Sequence, residues 1–97
     1  MSRIVLEESY ATTNSNEEIL DKFIARLSGA YGGLKTIDRQ KLEDLEEVDA
    51  AEIVHFSNGS QFRIALVRDD QEVICGAAHE FNYAYMEKLT EEIFLFF

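Results

Sequence analysis

An Asn-Gly pair in the middle of the chain constrains the fold more than any other feature. Asn58-Gly59 lies between two runs rich in apolar and β-branched residues, 51–56 and 61–67. Asn-Gly is the preferred pair for a two-residue type I′ turn, because both positions of that turn need positive φ. The pattern therefore predicts a β-hairpin with Asn58-Gly59 as its loop.

A two-residue loop also predicts which residues face each other. Ser57 would oppose Ser60, and Ile53 would oppose Ile64. A second turn at residues 68–71 would lead into a third strand, in which Val73 would oppose Leu66. One face of this meander is then expected to carry Ala51, Ile53, His55, Phe62, Ile64, Leu66, Val73 and Cys75. The other face, which is mixed, would carry Glu52, Val54, Phe56, Gln61, Arg63, Ala65 and Val67.

Three helices are predicted around this meander. The first begins at the capping box Ser15-Asn16-Glu17-Glu18 and ends at Gly29, Gly32 and Gly33. Its apolar face would consist of Ile19, Leu20, Phe23, Ile24 and Leu27, with Tyr31 as a further candidate. The second helix would span about residues 37–48, with Ile37, Leu42, Leu45 and Val48 on one arc. The third would begin near residues 79–82 and run to the end, with a core stripe of Phe81, Tyr85, Leu89, Ile93 and Phe96.

These elements predict one small α+β domain over residues 1–97. Its antiparallel sheet would have three to four strands: the meander over residues 51–76, with a short N-terminal strand over residues 3–8 added. Amphipathic helices would pack on one face. The expected order is β-α-α-β-β-β-α.

The chain is strongly acidic, and the acids are concentrated. It carries 19 acidic against 9 basic residues, a formal net charge of −10. Six of the ten residues from 43 to 52 are acidic and none is basic. Such a charge disfavours direct binding of nucleic acid or anionic lipid and favours basic protein partners.

The predicted second helix would present these acids to solvent. Glu43, Glu46 and Glu47 would stand three or four residues apart, so that like charges repel, and near a helix C-terminus that disfavours anions. Repeated unfavourable placement indicates a functional surface, on which carboxylates stand in for the phosphates of a nucleic acid. Ordinary solvated charge on an exposed helix face is the alternative explanation.

Other motifs do not point to chemistry. The stretch from Gly29 to Thr36 resembles a phosphate-binding loop, but Leu34 separates the last glycine from the lysine, so a helix stop is the simpler interpretation. Cys75, His55 and His79 lack the paired spacing of zinc ligands, so we expect no metal and no cofactor. One cysteine, no apolar run of bilayer length and no signal peptide favour the cytoplasm.

The sequence therefore predicts a non-enzymatic binding or inhibitor protein that docks on a basic surface of a nucleic-acid-binding enzyme or a toxin. Small inhibitors encoded by phages and plasmids, and immunity proteins, share this profile. The predicted contact residues are acidic or aromatic: Glu43, Asp44, Glu46, Glu47, Asp49, Tyr83, Glu87, Glu91 and Phe94.

One alternative function stays open. A homo-oligomer, for example a homodimer through the C-terminal helix, would capture a small anionic ligand between subunits with Arg63, Arg68 or Lys35.

Overall fold

The computed structural model describes residues 4–43, 45–46 and 48–79. Within them the elements are β1 (Ile4–Ala11), α1 (Asn16–Ala30), β2 (Thr36–Leu42), β3 (Ala50–Phe56), β4 (Gln61–Asp69) and β5 (Glu72–Ala78). The strands form one antiparallel sheet of five strands in the order β1-β5-β4-β3-β2. The α+β class is confirmed, but the prediction of three to four strands with several helices is wrong. The described part has five strands and one helix.

Helix α1 crosses one face of the sheet, because β1 and β2, which it joins, are the two edge strands. Its predicted start is confirmed: the Ser15 hydroxyl accepts a hydrogen bond from the Glu18 backbone N–H at 3.2 Å. Its predicted apolar face is confirmed for five residues, which are all buried: Ile19, Leu20, Phe23, Ile24 and Leu27. Tyr31, the further candidate, follows the helix and is 40% exposed. The helix ends at Ala30, and Gly32 and Gly33 follow with positive φ, so these two glycines act as the predicted helix stop, whereas Gly29 lies inside the helix.

The first hairpin exists, but its register differs from the prediction by one residue. The Phe56 N–H donates to the Ser60 carbonyl at 2.9 Å, and the Gly59 N–H donates to the Phe56 carbonyl at 3.0 Å. Gly59 has φ +89°, whereas Asn58 does not have positive φ. This corresponds to a three-residue loop with glycine in the left-handed position rather than a type I′ turn.

A shift of one residue moves side chains to the opposite face. Val54 pairs with Phe62 and Ala51 pairs with Ala65. The predicted composition of the two faces is therefore wrong for β3. The helix-side core draws on β3, β4 and β5, with Val54, Phe56, Phe62, Ile64, Leu66, Val73, Cys75 and Ala77 packed against α1. A second buried cluster on the other side of the sheet consists of Val48, Ala51, Ala65, Val67, Ile74 and Ala78.

The predicted second helix over residues 37–48 is wrong. Residues Thr36–Leu42 form the edge strand β2, which pairs with β3, and a loop follows. Only Thr36, Arg39 and Leu42 of this strand are partly buried, and this spacing of three mimics a helical period. The pairing also shifts between Thr36 and Asp38, so the strand does not alternate regularly.

The two ends of the chain were predicted to form a strand and a helix. The predicted N-terminal strand is confirmed as a member of the sheet, where β1 pairs with β5 and continues to Ala11. The predicted last helix lies outside the described residues, apart from its first position. Within the part that the structure describes, no helix is long and apolar enough to cross a membrane.

Candidate functional site

Three described acids of the run lie between β2 and β3 and not on a helix, namely Glu43, Glu46 and Asp49, whereas Glu52 lies in β3. Glu43 and Glu46 are exposed and make no ion pair with any described residue. Asp44 and Glu47 lie outside the described residues. Because the described residues of this segment are not helical, repulsion at helical spacing and a helix dipole do not act on its described acids. What the loop does retain is exposed carboxylates without a described counter-ion.

Asp49, at the end of the run, fastens the loop to β4. Its Oδ2 accepts a hydrogen bond from the Arg68 backbone N–H at 2.7 Å, and its own N–H donates to the Leu66 carbonyl at 2.9 Å. The Asp49 side chain is nevertheless exposed. This residue therefore positions the loop and still contributes negative charge to its surface.

Glu52, the last acid of the window, is an internal residue. Only 2% of it is exposed, and the Arg39 guanidinium donates to both of its oxygens, from Nε at 2.8 Å and from Nη2 at 2.9 Å. Arg39 also donates from Nη1 to Asp21 on α1. The hydrogen bond to Glu52, followed by that to Asp21, raises the pKa of Arg39. This network neutralises Glu52, so it does not belong to the acidic surface.

A cleft opens between the first turns of α1 and the β2–β3 loop. Its volume is about 390 Å³. Its apolar lining comes from the helix, from both strands and from the loop: Leu20, Leu42, Leu45, Val48, Ala50 and Ala51. Its polar lining consists of Asn16, Glu17, Lys41, Glu43, Asp49 and Glu52. We call this feature the loop cleft.

The lining of the loop cleft is negative overall. Lys41 Nζ lies 3.6 Å from Glu17 Oε1, and both side chains are mostly exposed. If Arg39 cancels Glu52 and Lys41 cancels Glu17, then Glu43 and Asp49 leave two negative charges on the lining. An apolar floor with a negative rim suits an amphipathic cation, because a long basic side chain has an apolar stem and a charged head.

The remaining predicted contact residues are not tested by the described structure. Tyr83, Glu87, Glu91 and Phe94, and with them a homodimer through the C-terminal helix, lie outside the described residues. They stay predictions.

The three cations predicted for an anionic ligand do not converge within one molecule. Arg63 and Arg68 are an odd number of positions apart on β4, so they point to opposite faces of the sheet. The Arg68 guanidinium donates from Nε to Asn16 Oδ1 at 2.9 Å and from Nη2 to the Asn14 carbonyl. It thus holds the connection between β1 and α1. Lys35 is exposed and precedes β2, at the strand end opposite to the loop cleft.

The prediction that Cys75, His55 and His79 form no metal or thiol site comes from the sequence, and the structure shows where two of these residues lie. Cys75 faces α1 within the core, whereas His55 lies on the other side of the sheet. Burial raises the pKa of the Cys75 thiol to about 12, so it carries a proton at neutral pH and is a weak nucleophile. Among residues 4–43, 45–46 and 48–79, no three His, Cys, Asp or Glu side chains group closely enough to hold a metal ion.

Comparison with models of known protein families, with curated proteins and with solved structures finds no match for this chain. Function must therefore be inferred from the site itself.

Of the loop cleft, the sequence indicated Glu43 and Asp49 as site residues but not the other walls. Glu17, Lys41 and Leu20 were not singled out as site residues, because their proximity to the loop depends on how α1 crosses the sheet. The one available signal was the alternation of Lys41, Leu42 and Glu43, which is typical of a strand that offers charge and apolar surface side by side.

Proposed function

We propose that this chain is a small, non-enzymatic binding protein of the inhibitor type. It docks on a basic surface of a partner protein, such as a nucleic-acid-binding enzyme or a toxin, in the cytoplasm. The β2–β3 loop provides the contact, and its carboxylates take the place of nucleic-acid phosphates.

The observation that carries this proposal is the placement of uncompensated charge. Three of the chain's arginines bond to partners within the molecule, Arg26 to Glu8, Arg39 to Glu52 and Arg68 to Asn16. Glu43 and Glu46 remain exposed on the loop without a described counter-ion. In a chain of net charge −10, exposed acids of this kind attract a cationic surface and speed its encounter.

Two buried residues whose side chains could serve in catalysis have structural roles instead, namely Glu52 and Cys75. A buried carboxylate is present in Glu52, but both of its oxygens accept hydrogen bonds from Arg39. The Cys75 thiol has a pKa displaced upward, away from the reactive thiolate. Neither residue supports catalysis as well as the loop supports binding.

The proposal is tested with two variants of equal charge. Glu43→Gln with Glu46→Gln removes two charges at the loop, and Asp38→Lys reverses one charge at the other end of β2. Each changes the net charge from −10 to −8 (−10 + 2). Asp38 is exposed and lies roughly 16 Å from Glu43 along the strand.

Each protein is immobilised, and captured proteins from a lysate of the cells that carry it are quantified by mass spectrometry. We expect the parent and Asp38→Lys to capture the same basic proteins in equal amounts. The double variant should capture about five- to tenfold less of them, because two ion pairs are lost. Equal capture by the two variants would contradict the proposal.

A further inference from the structure

The lining of the loop cleft combines apolar surface with negative charge, and this combination indicates which kind of group binds there. We propose that it is the docking pocket for a long cationic side chain, arginine or lysine, on a basic segment of the partner protein. This inference rests on the proposed function and adds to it a defined pocket and a defined group.

The shape and lining of the loop cleft fit such a side chain. Leu20, Leu42 and Val48 provide apolar surface for the methylene stem. Glu43 and Asp49 lie on the same lining and provide acceptors for the charged head. Oδ2 of Asp49 is engaged by the Arg68 N–H, while Oδ1 makes no hydrogen bond with any described residue. An anionic ligand would meet net repulsion at this lining, and a purely apolar ligand would leave the carboxylates without a counter-ion.

The chain itself already places a cation at this site. Lys41 Nζ approaches Glu17 Oε1 at 3.6 Å on the rim of the loop cleft. Ion pairs between exposed groups are weak and exchange readily. An incoming guanidinium can therefore displace Lys41, since its fork of donors binds a carboxylate in two places where an ammonium binds as a point charge.

The nearby end of α1 does not oppose a cation. A helix N-terminus attracts anions, but Glu17 and Glu18 already occupy the first turn and offset its partial positive charge. A metal ion is a poorer candidate than an organic cation, because the lining is half apolar and no three metal-ligating side chains group together among the described residues.

The test uses a short probe peptide of alternating leucine and arginine, and the same peptide with citrulline, which has the shape of arginine without its charge. Binding is followed by ¹H–¹⁵N NMR of the labelled protein. We expect the arginine peptide to shift the amides of Leu42, Val48 and Ala50 most strongly. The citrulline peptide should leave them unchanged.

A matched pair of variants tests the displacement of the resident lysine. Lys41→Met and Lys35→Met remove the same charge, but only Lys41 lies in the loop cleft. We expect Lys41→Met to bind the arginine peptide about two- to fivefold more tightly than Lys35→Met, because the competing cation is gone. Equal affinities would overturn the inference.

The outcomes separate this inference from the proposed function. If lysate capture depends on Glu43 and Glu46 but the peptide shifts spread over the whole acidic surface, or the citrulline peptide binds equally well, the pocket is refuted and the docking role stands. If capture does not depend on Glu43 and Glu46, the docking role itself fails.

Discussion

Glu52 is a buried carboxylate whose charge is neutralised by Arg39. It is also the last residue of the acid run. The sequence could not reveal the neutralisation, because Arg39 comes from a segment whose spacing predicted a helix. The acid run that contains Glu43 and Glu46 could be recognised from the sequence alone, because no basic residue lies between positions 43 and 52.

We predict that Glu52→Gln destabilises the fold by about 2 kcal/mol. Glutamine keeps the volume but loses the charge that accepts two hydrogen bonds from Arg39, which is itself partly exposed and retains Asp21. Glu46→Gln removes the same charge from an exposed position and should change the free energy of unfolding by less than about 0.5 kcal/mol. Urea denaturation measures both. Equal stability of the two variants would show that the buried pair contributes nothing.

At the level of elements, the hairpin was predictable and its register was not. The Asn-Gly pair serves both a type I′ turn and a three-residue loop with glycine in the left-handed position, and only the backbone distinguishes them. The second turn differs from its prediction by two residues, since Leu66 pairs with Cys75 and not with Val73. A shift of two keeps every side chain on its face, so the shared face of β4 and β5 was predicted correctly.

The strand β2 was predicted to be a helix, and the loop cleft beside it could not be predicted for the same reason. The spacing of Ile37, Leu42, Leu45 and Val48 favoured a helix, although Ile37 is 64% exposed in the folded strand. Only Thr36, Arg39 and Leu42 of β2 are partly buried, so its burial does not alternate as in a regular strand. Pairing with β3, a contact between distant parts of the chain, decides the outcome instead.

Two glycines provide an internal comparison at this scale. Gly59 has φ +89° and Gly29 lies within α1, and in both cases an added Cβ would meet no atom within 4 Å. We expect Gly59→Ala to lower the free energy of unfolding by about 1–2 kcal/mol, because the residue must stay in the left-handed region. Gly29→Ala should raise it by about 0.5–1 kcal/mol through helix propensity. Two changes of the same sign in thermal or urea unfolding would contradict the observed turn.

At the scale of the whole molecule, we propose that partner binding depends on where the negative charge lies and not only on its amount. The net charge of −10 provides long-range attraction to any basic partner. In the proposed function, the β2–β3 loop, which Asp49 fastens to β4 and the loop cleft borders, is the point of contact. Screening acts over about 8 Å at physiological ionic strength, so charge at the contact and charge at a distant site respond differently to salt.

The most direct measurement is therefore the association rate with the captured partner as a function of salt concentration. It compares the parent, the variant Glu43→Gln with Glu46→Gln, and Asp38→Lys. We predict that the double variant associates several-fold more slowly than Asp38→Lys at low salt and that the rates converge at high salt, because the two carboxylates meet the partner's cations directly. Identical rates for the two variants at every salt concentration would contradict the central claim that this loop is the contact surface.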